Sequence, residues 1–441
     1  MFALKNTFPS DFLWGTATSA YQVEGGILND WSAAGHDAGA GAAHAERYPE
    51  DFEWAQKLNT NAFRLSLEWA RLEPQEGLWD SAAEAHYLRV FEALKAAHLE
   101  PMVTLFHFTL PVWFAAKGGW TRSENGVYFQ RFAERVAERF GHCARLWITL
   151  NEPMVYVFKC FDEGLWPPFV NDRRVALTVF QNLLKGHTLA YHSLHASAKQ
   201  VQVGIAKNFT LLEPLQCLNP LDQLQAYFQD RIFNRAFVMA LMEGHFEMYL
   251  PGSGKITVPF DPAMRGSLDF LGVNYYTRFR VNAQGAHLTP PEVPCSDLGW
   301  EIYPEGLLKV LQLAQHLTEA RNLPLYITEN GLADATDLLR GPFLTAHLAQ
   351  LAQALQADIP IKGYFYWSLL DNFEWAEGYG PRFGLLDAER RLRPSAKLYQ
   401  SLIQAAQTQP LLTSHNVAPS KPSSSGFFEA LDNAREALRN V

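Results

Sequence analysis

Residues 323–331 read LPLYITENG, an almost continuous apolar run that ends in the carboxylate of Glu329. A strand with both faces covered reads in this way, whereas a strand with one solvated face alternates apolar and polar residues. The run therefore predicts a buried parallel strand with a carboxylate at its carboxyl end. The stretch alone leaves open whether Glu329 is an ordinary solvated turn residue or a reactive group.

Seven further runs of this kind occur along the chain, and segments with helical periodicity separate them. Eight strand–helix units in sequence predict an α/β fold, a (β/α)8 TIM barrel. An open doubly wound sheet is the competing architecture, but the chain has no G-x-G-x-x-G or G-x-x-x-x-G-K-[ST] motif, which disfavours nucleotide binding. The other runs are FLWGTAT (12–18), NAFRLSLEW (61–69), EPMVTLFHF (100–108), LWITLNE (146–152), VQVGIAKN (201–208), LDFLGVNYY (268–276) and IKGYFYWSLL (361–370).

Three of the intervening segments carry specific helix signals. Ser81 and Glu84 form an S-x-x-E pattern, which predicts a capping box at the start of the helix before the third strand. Pro342 is expected to start the helix before the eighth strand. Apolar residues three and four positions apart predict the buried faces of two helices, namely Phe129, Phe132, Val136 and Phe140 in one and Leu344, Leu348, Leu351 and Leu355 in the other.

The composition is that of a globular protein with ample material for a core. Of 441 residues, 48% are hydrophobic and 19% charged, and the formal net charge is −9. This length permits one large barrel domain or two domains. Because no basic excess is available to neutralise phosphates, we expect neither nucleic acid nor an anionic membrane as a partner. The 12 Trp, 16 Tyr and 30 Phe provide flat apolar faces that suit the C–H faces of sugars.

Targeting, cysteine and metal signals are weak. The N-terminal segment lacks the basic and apolar regions of a signal peptide, and no apolar run approaches the ~20 residues of a membrane span, so we expect a soluble cytoplasmic protein. The four cysteines form no C-x-x-C pair and are predicted to be small buried hydrophobic residues. His187, His192 and His195 occur without an H-E-x-x-H pattern, so we expect them on a helix surface and expect no metal.

The chain is predicted to consist of one domain and a tail. We expect residues 1–408 to form a single barrel domain, residues 409–425 a Pro/Ser-rich linker and residues 426–441 a C-terminal amphipathic helix. That helix is expected to dock on the barrel or to fray, with a dimer contact as the alternative. The oligomeric state is not readable from these features.

In a parallel barrel, reactive side chains lie at the carboxyl ends of the strands, so the residues that end each run are the candidates for a site. Nearly every run ends in a group able to hydrogen-bond a polyhydroxylated ligand or in an indole ring able to stack on it. Together these residues indicate a sugar-binding site. Arg64 lies on the second strand itself. The other candidates are Gln22, His107, Asn151, Glu152, Asn274, Tyr276, Glu329, Trp367, Glu374 and Trp375.

Several segments, in the same order along the chain, resemble the signature segments of glycoside hydrolase family 1, the family of β-glucosidases and β-galactosidases. The resemblance runs from about residue 8 to about residue 405. It implies a (β/α)8 barrel that cleaves β-glycosides at the non-reducing end with retention of configuration and without a cofactor. The segments are FLWGTATSAYQVEG (12–25), LFHFTLP (105–111), TLNEP (149–153), ITENG (327–331) and WSLLDNFEWAEGYGPRFGLL (367–386).

By similarity to the family, Glu329 is the nucleophile and Glu152 the acid/base. Retaining hydrolysis requires the two carboxyl groups to lie ~5 to 5.5 Å apart, on opposite sides of the glycosidic bond. We expect Arg64 and Tyr276 to keep Glu329 ionised, and the charge of Glu329 to help keep Glu152 protonated. Asn274 is expected to support the same pair.

The resemblance also implies which residues bind the sugar. Trp367 would form the stacking floor, Phe383 the wall near C6, and Asn151 would reach the 2-OH, whose contacts strengthen in the transition state. The residues expected to hold sugar hydroxyls are Gln22, His107, Asn151, Glu374 and Trp375.

Two features narrow the expected substrate class. Members specialised for 6-phosphorylated sugars lose the pair that Glu374 and Trp375 form here, and plant thioglucosidases replace the acid/base that Glu152 retains. An unphosphorylated O-glycoside is therefore favoured. Met154 stands where many bacterial members have Trp, which leaves the aglycone preference open. The choice among glucose, galactose and fucose is also open, because C4 epimers meet the same Gln22 and Glu374.

Other interpretations of these residues remain open from sequence. Arg64 could be a structural ion-pair residue, His107 a satisfied core histidine, and the tryptophans packing residues. At the level of function, a transglycosidase with the same fold and a non-catalytic sugar-binding relative are the alternatives to a hydrolase. Retention of both glutamates together with Arg64 and Tyr276 argues against the non-catalytic relative.

Overall fold

Eight parallel strands form the barrel that the sequence predicts. The computed structural model describes residues 7–250 and 254–407. The predicted linker 409–425 and helix 426–441 lie outside the described residues. The strands are β1 Leu13–Ala17, β2 Ala62–Ser66, β3 Glu100–Phe106, β4 Leu146–Asn151, β5 Gln202–Pro214, β6 Phe270–Val281, β7 Leu325–Asn330 and β8 Ile361–Trp367.

Each barrel strand pairs in parallel with the next barrel strand along the chain, and β8 pairs with β1, so the sheet closes on itself. In the closing pair, Ala17 lies opposite Trp367. Between β6 and β7, Glu329 lies opposite Asn274. Because all eight strands run in the same direction, their carboxyl ends meet at one rim.

Helices stand between successive strands of the barrel and after the last one. The main helices are α1 His44–Lys57, α2 Ser81–Ala96, α3 Gly126–Phe140, α4 Arg173–Ser197, α5 Ala236–Glu243, α6 Glu305–Thr318, α7 Arg340–Gln356 and α8 Pro394–Gln407. Other helical segments are Ala20–Val23, Asp30–Ala33, Trp69–Leu72, Val112–Ala116, Gly119–Thr121, Ser123–Asn125, Pro153–Val157, Phe158–Asp162, Pro220–Asp230, Arg231–Arg235, Glu319–Arg321 and Trp375–Glu377.

Apolar side chains fill the barrel interior and the layer between strands and helices. The interior cluster includes Ala62, Met102, Ile148 and Phe270 from four different strands. The helix faces predicted from periodicity are buried, except that Leu355 is only partly buried at the end of α7. The buried positions are Phe129, Phe132, Val136 and Phe140 in α3 and Leu344, Leu348 and Leu351 in α7.

The start of α2 differs from the predicted capping box. The N-cap is Asp80, whose carboxylate accepts hydrogen bonds from two backbone N–H groups of the first turn at 2.8 and 3.0 Å. Ser81 is therefore the first helical residue, and Glu84 forms an ion pair with Arg139. The prediction was wrong by one position because an Asp directly before Ser81 has the extended backbone and the acceptor that an N-cap needs.

Two further local predictions need correction. Helix α7 begins at Arg340, so Pro342 lies within the first turn, where its missing N–H costs no helical hydrogen bond. His187 is not on a helix surface: it is fully buried, its Nε2 donates to the backbone oxygen of Ser267, and its Nδ1 accepts from the hydroxyl of Thr149, each at 2.6 Å. His192 and His195 on the same helix are exposed, as predicted.

The cysteines are less uniform than the sequence suggested. Cys160 is buried, Cys143 and Cys295 are partly buried and Cys217 is exposed, and all four are free thiols. Among the described residues, no three or more His, Cys, Asp or Glu side chains are placed to hold a metal ion. The same part of the chain contains no helix long and apolar enough to cross a membrane.

Strands β5 and β6 are longer than predicted and continue as a pair past a register shift after Phe209, up to Pro214 opposite Val281. Because both strands run toward the carboxyl rim, this extension continues beyond it. Its polar face carries Glu213, which accepts hydrogen bonds from Arg278 and Lys309 at 3.0 and 2.8 Å. Two short strands, Phe246–Leu250 and Gly254–Val258, pair in antiparallel orientation, and His287–Leu288 pairs with the end of β6.

Candidate active site

Glu329 lies at the end of β7 between a cation and a phenol. Arg64 on β2 donates from Nη1 to Glu329 Oε1 at 2.5 Å, and the hydroxyl of Tyr276 on β6 donates to Oε2 at 2.7 Å. Arg64 is fully buried, so its charge acts on Glu329 with little screening by water. These three predicted site residues are therefore together, and both oxygens of the Glu329 carboxylate are engaged.

Gly331 allows the chain after Glu329 to pass close to β8. A Cβ atom at this position would lie 1.9 Å from the backbone oxygen of Trp367. No side chain fits at that distance, so glycine is required here for steric reasons. This accounts for the glycine in the sequence TENG at the end of β7.

Glu152 lies at the end of β4, where the backbone turns sharply in the left-handed region, with φ 45° and ψ 55°. The turn is held by the Glu152 N–H, which donates to the backbone oxygen of Ala206 on β5 at 2.7 Å. A short helix then begins at Pro153. The carboxyl oxygen Oε1 accepts hydrogen bonds from Nδ2 of Asn274 at 2.8 Å and from Nδ2 of Asn208 at 3.0 Å.

The surroundings of Glu152 make it a weaker acid than an ordinary glutamate. Burial, and then the negative charge of Glu329, raise the pKa of Glu152 to about 7. The hydrogen bonds from Asn274 and Asn208 and the charge of Lys207 act in the opposite direction. A carboxyl group with this pKa can both donate and accept a proton near neutral pH.

A chain of hydrogen bonds connects the two carboxyl groups. Arg64, which contacts Glu329, also donates from Nη2 to Asn151 Oδ1 at 2.7 Å. The same Asn151 oxygen accepts from Asn274 Nδ2 at 3.3 Å, and Asn274 in turn contacts Glu152. The two glutamates therefore belong to one polar network at the carboxyl rim of the barrel.

His107 lies after β3, stacked against two tryptophans. Its ring centroid is 6.0 Å from that of Trp367 and 5.9 Å from that of Trp375, with interplanar angles of 19° and 14°. Its Nε2 lies 3.1 Å from Nδ2 of Asn151. Because the amide oxygen of Asn151 accepts from Arg64, the amide nitrogen is the donor and His107 Nε2 the acceptor, which places the imidazole proton on Nδ1.

The imidazole of His107 is neutral and keeps a free donor. Burial, and then the positive charge of Arg64, hold the pKa of His107 well below its usual range. Its Nδ1 is buried and has no hydrogen-bond partner among residues 7–250 and 254–407. A donor in this position is available to a ligand.

Gln22, after β1, anchors the loop that follows β8. Its Nε2 donates to the backbone oxygen of Phe373 at 2.7 Å and to Oδ1 of Asn372 at 3.1 Å. Its Oε1 accepts from the hydroxyl of Ser19 at 2.7 Å. This anchoring role was not predicted, and the predicted contact with a sugar hydroxyl would use the remaining acceptor capacity of Oε1.

The anchored loop carries Glu374 and Trp375. Burial, and then the charges of Glu329 and Glu152, raise the pKa of Glu374 to about 8. Its Oε2 is buried without a hydrogen-bond partner in the described part of the chain. Like Nδ1 of His107, this oxygen is a polar atom that a ligand could satisfy.

Aromatic rings surround the polar network. Trp375 packs against Trp31 and Trp166, with ring centroids 4.7 and 5.9 Å away. Phe383 is buried, and its ring centroid lies 6.4 Å from that of Trp300 and 6.1 Å from that of Tyr276. All predicted aromatic residues are thus at the rim.

Sequence reasoning missed several residues of the site. Asn208 is the last residue of the run VQVGIAKN, so the rule that strand ends carry the site would have identified it. Trp166 and Trp300 come from loops without a recognised motif. Lys207 is a single charge within an apolar run, and nothing in its sequence context indicates its position near Glu152.

Comparison with known proteins agrees with the geometry. The family model for glycosyl hydrolase family 1 matches residues 4–408. Beta-glucosidase A of Thermotoga maritima is 33% identical over 419 residues, covering 86% of this chain and 92% of that protein. A beta-galactosidase of Pyrococcus woesei is 28% identical over 479 residues, covering 86% of this chain and 92% of that protein. The solved structure of a beta-glycosidase from Pyrococcus horikoshii matches with a TM-score of 0.83 at 36% identity, covering 91% of this chain and 96% of that one.

The resemblance inferred from the sequence and the predicted barrel are confirmed by these matches. The (β/α)8 architecture is common to this chain and its structural relatives. The family model spans nearly the whole chain, and the named relatives are glycosidases. The chain belongs to glycosyl hydrolase family 1 and is a β-glucosidase-type glycosyl hydrolase.

Proposed function

We propose that the enzyme is a retaining β-glycosidase that removes β-D-glucosyl groups from the non-reducing end, with Glu329 as nucleophile and Glu152 as acid/base. The observation that supports this most is the unlike surroundings of two carboxyl groups in one network. Glu329 is paired with the Arg64 cation and the Tyr276 hydroxyl, whereas Glu152 meets neutral amide donors and has a pKa of about 7. Pairs of carboxyl groups held in different environments take different roles in acid–base chemistry.

In the first step, a carboxylate oxygen of Glu329 forms a bond to the anomeric carbon as the bond to the glycosidic oxygen breaks. Glu152 gives its proton to the departing oxygen, so the aglycone leaves as a neutral alcohol. Arg64 and Tyr276 hold the Glu329 carboxylate in a single orientation for attack. The product of this step is a glycosyl ester of Glu329.

In the second step, water replaces Glu329 at the anomeric carbon. The ester has no charge, so the repulsion that raised the pKa of Glu152 is absent and Glu152 becomes a better base for that water. The proton of water returns to Glu152, and the Glu329 carboxylate is released. The two carboxyl groups and water account for every bond and proton in both steps, so no cofactor is proposed.

The sugar would be held by the polar atoms around this pair. His107 Nδ1 and Glu374 Oε2, both buried without partners among the described residues, are suited to sugar hydroxyls. Asn151, fixed by Arg64 and His107, would contact the 2-OH. The remaining predicted contacts are Gln22 and Trp375 with sugar hydroxyls, Trp367 as stacking floor, Phe383 as the wall near C6, and Asn274 as support for Glu152.

The expected substrates are unphosphorylated β-D-glucosides, with β-D-galactosides and β-D-fucosides as further substrates. By the family resemblance, the pair Glu374 and Trp375 would suit a free sugar rather than a sugar phosphate. The relatives include proteins named as a beta-glucosidase and a beta-galactosidase, which supports both sugars as candidates. Met154 is buried in the short helix after Glu152.

The proposal is tested by the stereochemistry of the first product. The purified enzyme is given an aryl β-D-glucoside in D2O, and proton NMR follows the anomeric signals from the first minutes. We expect β-glucose to form first and α-glucose to follow only by mutarotation. Initial release of α-glucose would contradict retention, and no release at all would favour a non-catalytic relative. A panel of aryl β-glycosides ranks the sugars, and added alcohol acceptors measure transglycosylation.

A further inference from the structure

Lys207 is a fully buried lysine beside the candidate acid/base, and the mechanism above gives it no role. It lies on β5 with 0% of its surface exposed, between Ala206 and Asn208. Ala206 accepts the backbone N–H of Glu152, and Asn208 donates its side-chain amide to the Glu152 carboxyl. Both chain neighbours of Lys207 therefore contact Glu152.

The ammonium group of Lys207 lies in a largely apolar environment. Its Nζ donates a hydrogen bond to the backbone oxygen of Asn208. It also lies 4.4 Å from the ring centroid of Phe233 and 5.1 Å from that of Phe209. Buried lysines are uncommon unless paired, because transfer of an ammonium group from water is costly. The charge of Lys207 therefore interacts strongly with any carboxylate within range.

Two carboxylates act on Lys207 through space, Glu152 at the end of β4 and Asp230 on the helix before Arg231–Arg235. Asp230 is already engaged by other donors, because it accepts from Arg235 at 2.5 Å and from Asn234 at 2.7 Å. Glu152 accepts hydrogen bonds from neutral amides. Of the two, Glu152 is the carboxylate whose charge is not already balanced by a cation in contact.

Asn208 forms hydrogen bonds with both Lys207 and Glu152, and the donor in each is known. Its Oδ1 accepts from the hydroxyl of Thr210 at 2.9 Å, which leaves Nδ2 to donate to Glu152. Its backbone oxygen accepts from Lys207. Thr210 is held in turn by Asn234, which accepts the Thr210 N–H at 3.1 Å. Lys207 and Thr210 therefore hold the backbone and the side chain of Asn208 in the orientation that serves Glu152.

We propose that Lys207 is a positioning residue for the acid/base carboxyl, which it orients through Asn208 and whose anionic form it stabilises by its charge. This inference rests on the proposed acid/base role of Glu152. The same effect lowers the pKa of Glu152 in the free enzyme, which the pH profile of kcat/KM reports, and it favours the anion that accepts a proton from water in the second step.

The direction of the electrostatic effect follows from the charges. Protonated Lys207 lowers the pKa of Glu152, against burial and the charge of Glu329, and burial lowers the pKa of Lys207 itself to about 7. Because both groups titrate near the same pH, they titrate as a pair. Glu374, from the loop after β8, is also affected by the charge of Glu152. Removal of the Lys207 charge makes Glu152 lose its proton at higher pH.

The test is the pH profile of kcat/KM for phenyl β-D-glucoside, a substrate whose leaving group needs the acid. Lys207→Met removes the charge and keeps the apolar chain, Lys207→Arg keeps the charge, and Lys362→Met replaces an exposed lysine on β8 as the control. We expect the basic limb to move up by about half a pH unit in Lys207→Met and to stay in place in the other two variants.

A Lys207→Met profile that superimposes on the wild-type profile would overturn the inference, as would an equal shift in Lys362→Met. Circular dichroism establishes that each variant is folded, and Lys207→Gln replaces Lys207→Met under the same criterion if the latter does not fold. A wild-type enzyme without a basic limb would instead contradict the proposed acid role of Glu152. If the wild-type profile has a basic limb and Lys207→Met does not shift it, only the role of Lys207 is contradicted.

Discussion

Single residues in this site differ in chemistry because their immediate neighbours differ. Glu329 and Glu152 have the same side chain and lie in the same network. Glu329 contacts a guanidinium and a phenol, whereas Glu152 contacts two amide groups and is buried with a negative charge nearby. The division of labour between nucleophile and acid/base that we propose follows from these contacts and not from the residue type.

Replacement of the nucleophile should remove nearly all turnover. Glu329→Ala removes the atom that would bond to the anomeric carbon, so we expect kcat to fall by about four orders of magnitude or more. Added azide should restore turnover by direct attack and give the α-glycosyl azide. Glu389→Ala, at an exposed position, serves as the control. Near-normal activity in Glu329→Ala, measured after confirmation of folding, would remove Glu329 as nucleophile.

Replacement of the acid/base should have an effect that depends on the leaving group. In Glu152→Ala, we expect kcat/KM to fall about 10²- to 10⁴-fold for phenyl glucoside but only ~tenfold or less for 2,4-dinitrophenyl glucoside, whose leaving group needs no proton. The wild-type enzyme should lose activity on phenyl glucoside as pH rises through about 7, the pKa of Glu152, because the protonated form is the acid. Equal losses on both substrates would argue against the acid role.

At the scale of elements, short segments set the positions of these residues. The left-handed turn at Glu152 ends β4, and Gly331 lets the end of β7 pass against β8. Gln22 connects the end of β1 to the loop that carries Glu374. Each of these contacts joins two elements that are distant in the chain, so the local sequence alone does not reveal them.

Asp80 should contribute to stability as the N-cap of α2. Asp80→Ala removes the acceptor for two backbone N–H groups and should destabilise the protein by about 1 kcal/mol. For a chain of this size we expect the thermal midpoint to fall by roughly 1–2 °C. Ser81→Ala, one residue later, should have little effect because Ser81 is not the cap. A larger loss in Ser81→Ala than in Asp80→Ala would support the capping box that the sequence suggested.

At the scale of the whole molecule, the site depends on closure of the barrel. Side chains on or just after all eight strands contribute, from Gln22 after β1 to Trp367 on β8. Residues as distant in sequence as Arg64 and Glu329 meet only when β8 pairs with β1 and β6 with β7. We therefore expect variants that open the barrel to lose activity together with tertiary structure.

Buried charge makes the stability of the whole molecule depend on pH. Glu68, between β2 and α2, is buried, and its two carboxyl oxygens accept from the hydroxyl of Thr109 at 3.1 and 2.9 Å. Burial raises the pKa of Glu68 from 4.5 to about 7. Below pH 4.5, Glu68 is protonated in both the folded and the unfolded protein, so its burial carries no charge. Because the pKa of Glu68 is higher in the folded protein than in the unfolded one, the protein loses stability as pH rises from 4.5 through about 7.

Glu68→Gln should therefore change stability differently at low and high pH. Relative to wild type, we expect the variant to be unchanged or slightly less stable near pH 5 and more stable near pH 8, a difference of about 1–3 kcal/mol. Thermal unfolding at both pH values measures it. Glu389→Gln, at the surface, should differ from wild type in stability by the same amount at both pH values. If the stability difference between Glu68→Gln and wild type is also the same at both pH values, the Glu68 carboxyl does not lose its proton in this range.

Features of the fold that depend on a local pattern of residues could be predicted from the sequence. Strands covered on both faces have nearly continuous apolar sequences, and amphipathic helices have apolar residues at a regular spacing. The eight strands and the buried faces of α3 and α7 were therefore predictable. The ends of those runs also identified Glu152, Glu329 and most of their neighbours, since parallel strands bring their carboxyl ends to one rim. The capping error at Ser81 arose because two adjacent residues could both serve as the cap.

The contacts of each group, by contrast, depend on packing between elements that are distant in the chain. Burial of His187, the anchoring role of Gln22 and the position of Lys207 beside Glu152 depend on which elements pack together in three dimensions. The pKa of Glu152 depends on burial and on a charge from another strand. Electrostatic and desolvation effects are set by distance in space, and neighbours in space are brought together here by barrel closure and not by proximity along the chain.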